Sequence, residues 1–134
     1  VTLTQAVAAF LVAADVIEDQ SVFFEGEEWP EIGQDVALVI DQVPGVGELY
    51  ERTYDGIGIQ IQSRGGQEDP AGAEELATAV DNAVLAPPSA FTMGAFRVLS
   101  TQRIGGPPRL LSIDPSHRRV FSANYLFTVA RTQF

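Results

Sequence analysis

The stretch DGIGIQIQSRGGQEDPAGAEELATAVDNAV, Asp55–Val84, changes its apolar period partway along. Ile57, Ile59 and Ile61 alternate with Gly58, Gln60 and Gln62, which is the pattern of a strand with one apolar face. Asp55–Gly56 just before it is a turn signal. Asp69 then offers a helix N-cap, Pro70 suits the first helical turn, and Glu74 and Glu75 favour a helix start. Leu76, Val80, Ala83 and Val84 follow at helical spacing, and Pro87–Pro88 stop the helix.

On the N-terminal side, Ala6, Val7, Phe10, Leu11, Ala14 and Ile17 predict a first helix over Thr4–Glu18, with Thr4 as its cap. A loop follows, with a short strand at Val22–Glu25. Strands are predicted at Ala37–Val43, ended by Pro44–Gly45, and at Leu49–Tyr54. On the C-terminal side, Phe96–Ile104 reads as a strand broken by Gly105, Gly106, Pro107 and Pro108, and Leu110–Ile113 as a short apolar segment. Asp114–Pro115 makes a turn. Val120–Arg131 is the last and longest strand, with Phe121, Ala123, Tyr125, Phe127 and Val129 on its apolar side. Strands in succession with helices set among them predict one α+β domain over residues 1–134. Its sheet is mixed but mostly antiparallel, of four to six strands, with two main helices packed on it.

The 134 residues are 46% hydrophobic and 19% charged, enough for one core without staples. There is no cysteine, which excludes disulfides, thiolate metal sites and a cysteine nucleophile. Ala6–Ala14 is too short to cross a bilayer and lacks the flanks of a signal peptide, so a soluble, unexported chain is expected. Val1 in first place implies an initiator methionine that was removed or lies outside the sequence.

The net charge of −10 is unevenly placed. Asp15 to Asp55 is crowded with acids opposed only by Arg52, whereas beyond Phe96 six arginines face the single acid Asp114. Lysine is absent. Arginine forks bind carboxylates bidentately, so the acidic front of one copy could meet the arginines of another.

Signals for chemistry are weak. His117, the only imidazole, sits beside Arg118 and Arg119 in a turn, and no nucleophile-elbow pattern surrounds any serine. It reads as a surface or interface residue. Glu25, Glu27, Glu28 and Glu31 do not follow a calcium-loop pattern. The glycines of GIGIQIQSRGG have no lysine or serine at phosphate-loop spacing. A sequence pI of about 4.3 argues against a DNA-reading face. No catalytic, metal or cofactor site is expected. Phe23, Phe24 and Trp29, set among acids, read equally as contact residues and as partly buried ones.

The order of these features resembles the tail terminator or minor capsid proteins of tailed bacteriophages. Arg64–Gly65 matches the arginine and glycine that end a strand before the second helix. Arg118, Phe121, Ser122, Asn124 and Tyr125 match an R-x-x-F-S-x-N-[FY] strand after an aspartate-containing turn. The likeness runs from Ala37 to Gln133, and its specific part is the last strand. It implies a non-enzymatic virion subunit, assembled in the host cytoplasm, that forms a ring, usually of six. Such a ring sits at the head-proximal end of a tail, stops tail-tube polymerisation and meets the head-completion complex. DNA passes through it without specific binding, and no membrane is involved. The acidic Glu25–Glu31 loop and the lack of lysine depart from the family. Alternatives are a head–tail connector or neck protein, a carboxylate-dependent hydrolase and an unrelated binding module. On the ring reading, Phe23, Phe24, Trp29, Arg103, Arg118 and Arg119 are expected at subunit or tube contacts. Glu25, Glu27, Glu28 and Glu31 are expected at the lumen or its rim, where acids would repel DNA phosphates.

Overall fold

Thr2, not Thr4, opens the first helix. Its hydroxyl accepts from the Gln5 amide at 3.2 Å and its own amide donates to the Gln5 side chain at 2.9 Å, a reciprocal cap. The computed structural model describes residues 2–24, 36–49 and 54–130. Helix α1 is Leu3–Ala13 and stops short of the expected Glu18. Asp15 adopts a left-handed φ of 60°. The Asp15 and Val16 amides then bond the Val12 and Leu11 carbonyls, both at 3.0 Å, which closes the helix end.

After a 3-10 turn at Asp19–Ser21 come β1 (Val22–Phe24), β2 (Ala37–Leu49), β3 (Tyr54–Arg64), α2 (Pro70–Leu85), β4 (Phe91–Met93), β5 (Phe96–Ile113) and β6 (Arg119–Ala130). Among the described residues, six strands form one sheet in the order β1-β2-β3-β6-β5-β4. The β1–β2 pair is parallel and the other pairs are antiparallel. The fold is therefore α+β, with a mixed, mostly antiparallel sheet and two helices among the described residues. No described helix is long and apolar enough to cross a membrane.

Three expected breaks prove to lie inside longer strands, two of them as shifts of register. β2 runs past Pro44, with its register shifting between Val43 and Gly47, where a residue without an amide hydrogen is tolerated. Asp55 and Gly56 pair with Glu48 and Gly47, so they lie in the ladder and not in a turn. β2 ends at Leu49 and β3 begins at Tyr54, and residues 50–53 of the strand expected at Leu49–Tyr54 lie outside the described residues. β5 passes through Gly105-Gly106-Pro107-Pro108 as a bulge between the pairs Ile104–Asn124 and Arg109–Ser122. Gly105 and Gly106 take φ of 81° and 98°, values that side chains resist, and the Arg109 guanidinium donates to the Gly105 carbonyl at 3.0 Å. The short strand β4, which the sequence reading did not anticipate, turns into β5 through Gly94.

One sheet face forms the core. Leu38, Ile40, Ile59, Ile61, Ala123, Tyr125, Phe127 and Val129 meet Val7 and Leu11 of α1 and Val80 and Val84 of α2. The opposite face carries half-buried Gln60, Gln62, Ser122 and Asn124 in neighbouring rows of β3 and β6. α2 approaches the end of β3 closely, because Gly65 lies directly under Ala73.

Candidate functional site

The turn IDPSHRR, residues 113–119, organises one end of the sheet. The Asp114 carboxylate accepts from the Ser116 and Arg118 amides, both at 2.9 Å, and from the Arg118 guanidinium at 2.8 Å. The Asp114 amide donates back to the Arg118 carbonyl at 2.9 Å. His117 takes a φ of 63° and stays exposed. Its carbonyl accepts from the Glu68 amide, and the Arg119 carbonyl from the Gly65 amide, at 3.2 and 3.1 Å. The turn therefore fastens the β5–β6 hairpin to the segment leading into α2. Arg118, expected at a subunit joint, is only 5% exposed and its guanidinium is held by Asp114 of its own chain. Arg119 is half-buried beside Ile113.

Burial alone would raise the Asp114 pKa. The Arg118 amide, the guanidinium hydrogen bond and charge, and the Ser116 amide outweigh it, so the carboxyl lies below its ordinary value of 3.8. A carboxyl depressed in the folded state stabilises above its unfolded pKa, and that contribution is lost as pH falls through the folded pKa. The melting-temperature gap between wild type and Asp114→Asn should be widest above the ordinary carboxyl value of 3.8 and narrow as pH falls below it. A gap that holds constant across that range in thermal melts would show that the carboxylate charge contributes nothing.

A second polar cluster ties α2 to the sheet. The buried Tyr125 hydroxyl donates to Asp81 at 2.9 Å, and Arg103 lies 3.7 Å from the other Asp81 oxygen. Burial, then the Asp81 hydrogen bond and charge, push the Tyr125 phenol far above its ordinary pKa. Arg103, a second arginine expected at a joint, keeps 36% of its side chain exposed. The Thr101 hydroxyl donates to the Val84 carbonyl at 2.8 Å, satisfying one of the open carbonyls at the end of α2.

Of the expected contact aromatics, Phe24 is half-buried and packs on the core beside Ile40. Phe23 pairs with Val39, on the other face of the sheet, and is half-buried there. Trp29 and the acids Glu25, Glu27, Glu28 and Glu31 lie outside the described residues. Among the described residues, no three acidic or histidine side chains come together to hold a metal.

The surface that sequence reasoning missed is apolar. Ile104, Leu110, Leu111 and Ile113, all on β5, are 43–55% exposed. The run Leu110–Ile113 was its only sequence signal, and an apolar run does not reveal that its strand lies near the sheet edge. A surface depression of about 450 Å³ lies along the outer side of α2, lined by Ala71, Glu74, Glu75, Thr78, Ala79 and Asn82.

No protein-family model matches the sequence, and no curated protein does. Among solved structures, the fold is similar to that of a chain in the virion of a native gene transfer agent (GTA) particle. The TM-score is 0.65 at 14% identity, covering 96% of this chain and 95% of that one. A second solved chain is similar with a TM-score of 0.52 at 12% identity, covering 94% of this chain and 97% of that one. At these identities the likeness is one of fold.

Proposed function

We propose that this chain is a structural subunit of a phage-like virion. In this reading it assembles as a ring of six that ends tail-tube polymerisation and joins the tail to the head-completion complex. The observation that carries the reading is the end-to-end likeness of fold to a chain from a gene transfer agent virion. The resemblance of the Arg118–Tyr125 segment to tail terminators points the same way, and so do the exposed apolar residues Leu110, Leu111 and Ile113 near the end of β5, which call for a cover. A chain of charge −10 lends its ring a negative field, which disfavours DNA binding during passage. The Glu25–Glu31 acids are proposed for the lumen or its rim, and Phe23 and Trp29 for contacts with tube or neighbour, whereas Phe24 serves the chain's own core.

Negative-stain electron microscopy of the purified chain, alone and with isolated tail tubes, tests this. Rings in end-on view, and tube ends closed by added protein, are the expected result. Rings that leave tube ends bare would favour a connector or neck role. Isolated monomers in both samples would overturn the virion-ring reading.

A further inference from the structure

We infer that the distal half of β5 grips a second copy of this chain, and that its receptor there is the outer side of α2. This rests on the ring reading above and names the surfaces that make the joint. β4 covers the outer edge of β5 only at residues 96–98. From Leu99 to Ile113, that edge has no strand on its outer side among the described residues. A long bare edge is normally shortened, charged or covered. This one instead carries Ile104, Leu110, Leu111 and Ile113 in the open, which marks an interaction surface.

Two features narrow the partner. Pro107 and Pro108 have no amide hydrogen and sit in a bulge, so a long added strand would be interrupted there. The contact is therefore made through side chains. Of the exposed arginines on this strand, Arg109 lies within the bare stretch with no acidic partner among the described residues, so the partner surface is acidic.

The outer side of α2 answers both. Ala71, Thr78 and Ala79 are small enough to admit leucine side chains, and Glu74 and Glu75 stand beside them. Neither glutamate has an ion-pair or hydrogen-bond partner among the described residues. The face of α2 holding Ala73, Ala77, Val80 and Val84 is buried on the sheet, so the depression faces away from its own core and is open to another molecule. The bare edge presents Leu110 on the side of Phe121 and Arg109 on the side of Ser122, so an α2 lying along it receives Leu110 and the bulge residue Leu111 in the depression and sets Glu74 or Glu75 of the next copy against Arg109. Each copy offers one gripping surface and one receiving surface. A contact between unlike patches is heterologous, and a suitable rotation closes it into a ring.

The test is a charge swap read by sedimentation, with circular dichroism to confirm folding. Wild type should assemble. Arg109→Glu alone and Glu74→Arg with Glu75→Arg should each weaken association at least roughly tenfold, about 1.4 kcal/mol. All three substitutions together should restore it. Leu110→Asp with Leu111→Asp should give folded monomers; if that variant does not fold, the swap decides. Single-sided variants that assemble like a ring-forming wild type, or a combined variant that fails to recover, would overturn this joint while leaving the ring intact. A wild type that forms no ring, with or without tubes, would overturn both.

Discussion

Gly65→Ala should strip the chain of much of its stability, whereas Gly66→Ala, one residue on, should leave it nearly unchanged. A methyl group on Gly65 would lie 2.6 Å from the Ala73 amide nitrogen, 2.8 Å from its Cβ and 2.9 Å from its Cα. Two of those atoms are backbone and cannot rotate aside. Either α2 lifts from the end of β3 or the strand moves, and Gly65 is itself anchored to the Arg119 carbonyl. Overpacking of a core usually costs about 1–3 kcal/mol, and a backbone clash belongs at the upper end. For a chain of this size, about 3 kcal/mol corresponds to a fall in melting temperature of roughly 10 °C. The same methyl on Gly66 meets only the Asp69 Cβ at 3.9 Å, an ordinary contact. Neither glycine has a left-handed φ, so the contrast isolates close approach from backbone strain. Thermal melts of the two variants decide it: equal melting temperatures would mean that α2 does not sit on Gly65 as described.

This glycine also shows how far the sequence could be read. The change of period across Asp55–Val84, the Asp69 cap and the alternation of the last strand are local signals, and the structure contains β3, α2 and β6 where they point. Local signals misled where two structures share one chemistry. Glycine and proline end strands, and they also make bulges inside strands. Which occurs at Pro44 or Gly105–Pro108 depends on whether a remote partner, β3 or β6, resumes pairing beyond the interruption. Strand order is equally remote, so Leu110–Ile113 gave no hint of lying near a bare edge. Arg118 beside Arg119 read as a pair with one role, yet Arg118 belongs to the turn and Arg119 opens β6. One of them is buried against Asp114 and the other is half-buried across from Ile113.

That separation makes Arg118→Glu a folding variant first and an assembly variant only by consequence. The Arg118 side chain is 6% exposed and its Nε lies 2.8 Å from Asp114. Reversing its charge sets two carboxylates against each other at a nearly buried site. Removing one partner of a buried pair costs about 3–5 kcal/mol. The lower end applies here, because Asp114 keeps 21% of its side chain exposed and retains two amide donors. The damage spreads through the turn, because the His117 and Arg119 carbonyls hold the segment that leads into α2. Arg119→Glu breaks no ion pair or side-chain hydrogen bond among the described residues. It should hold stability to within about 1 kcal/mol while adding a negative charge beside the apolar edge at Ile113. Thermal melts and sedimentation of the two variants should therefore separate, with Arg118→Glu losing melting temperature and Arg119→Glu losing association. If Arg118→Glu melts like wild type and yet does not assemble, Arg118 belongs to the joint after all and its pairing with Asp114 is incidental to the fold.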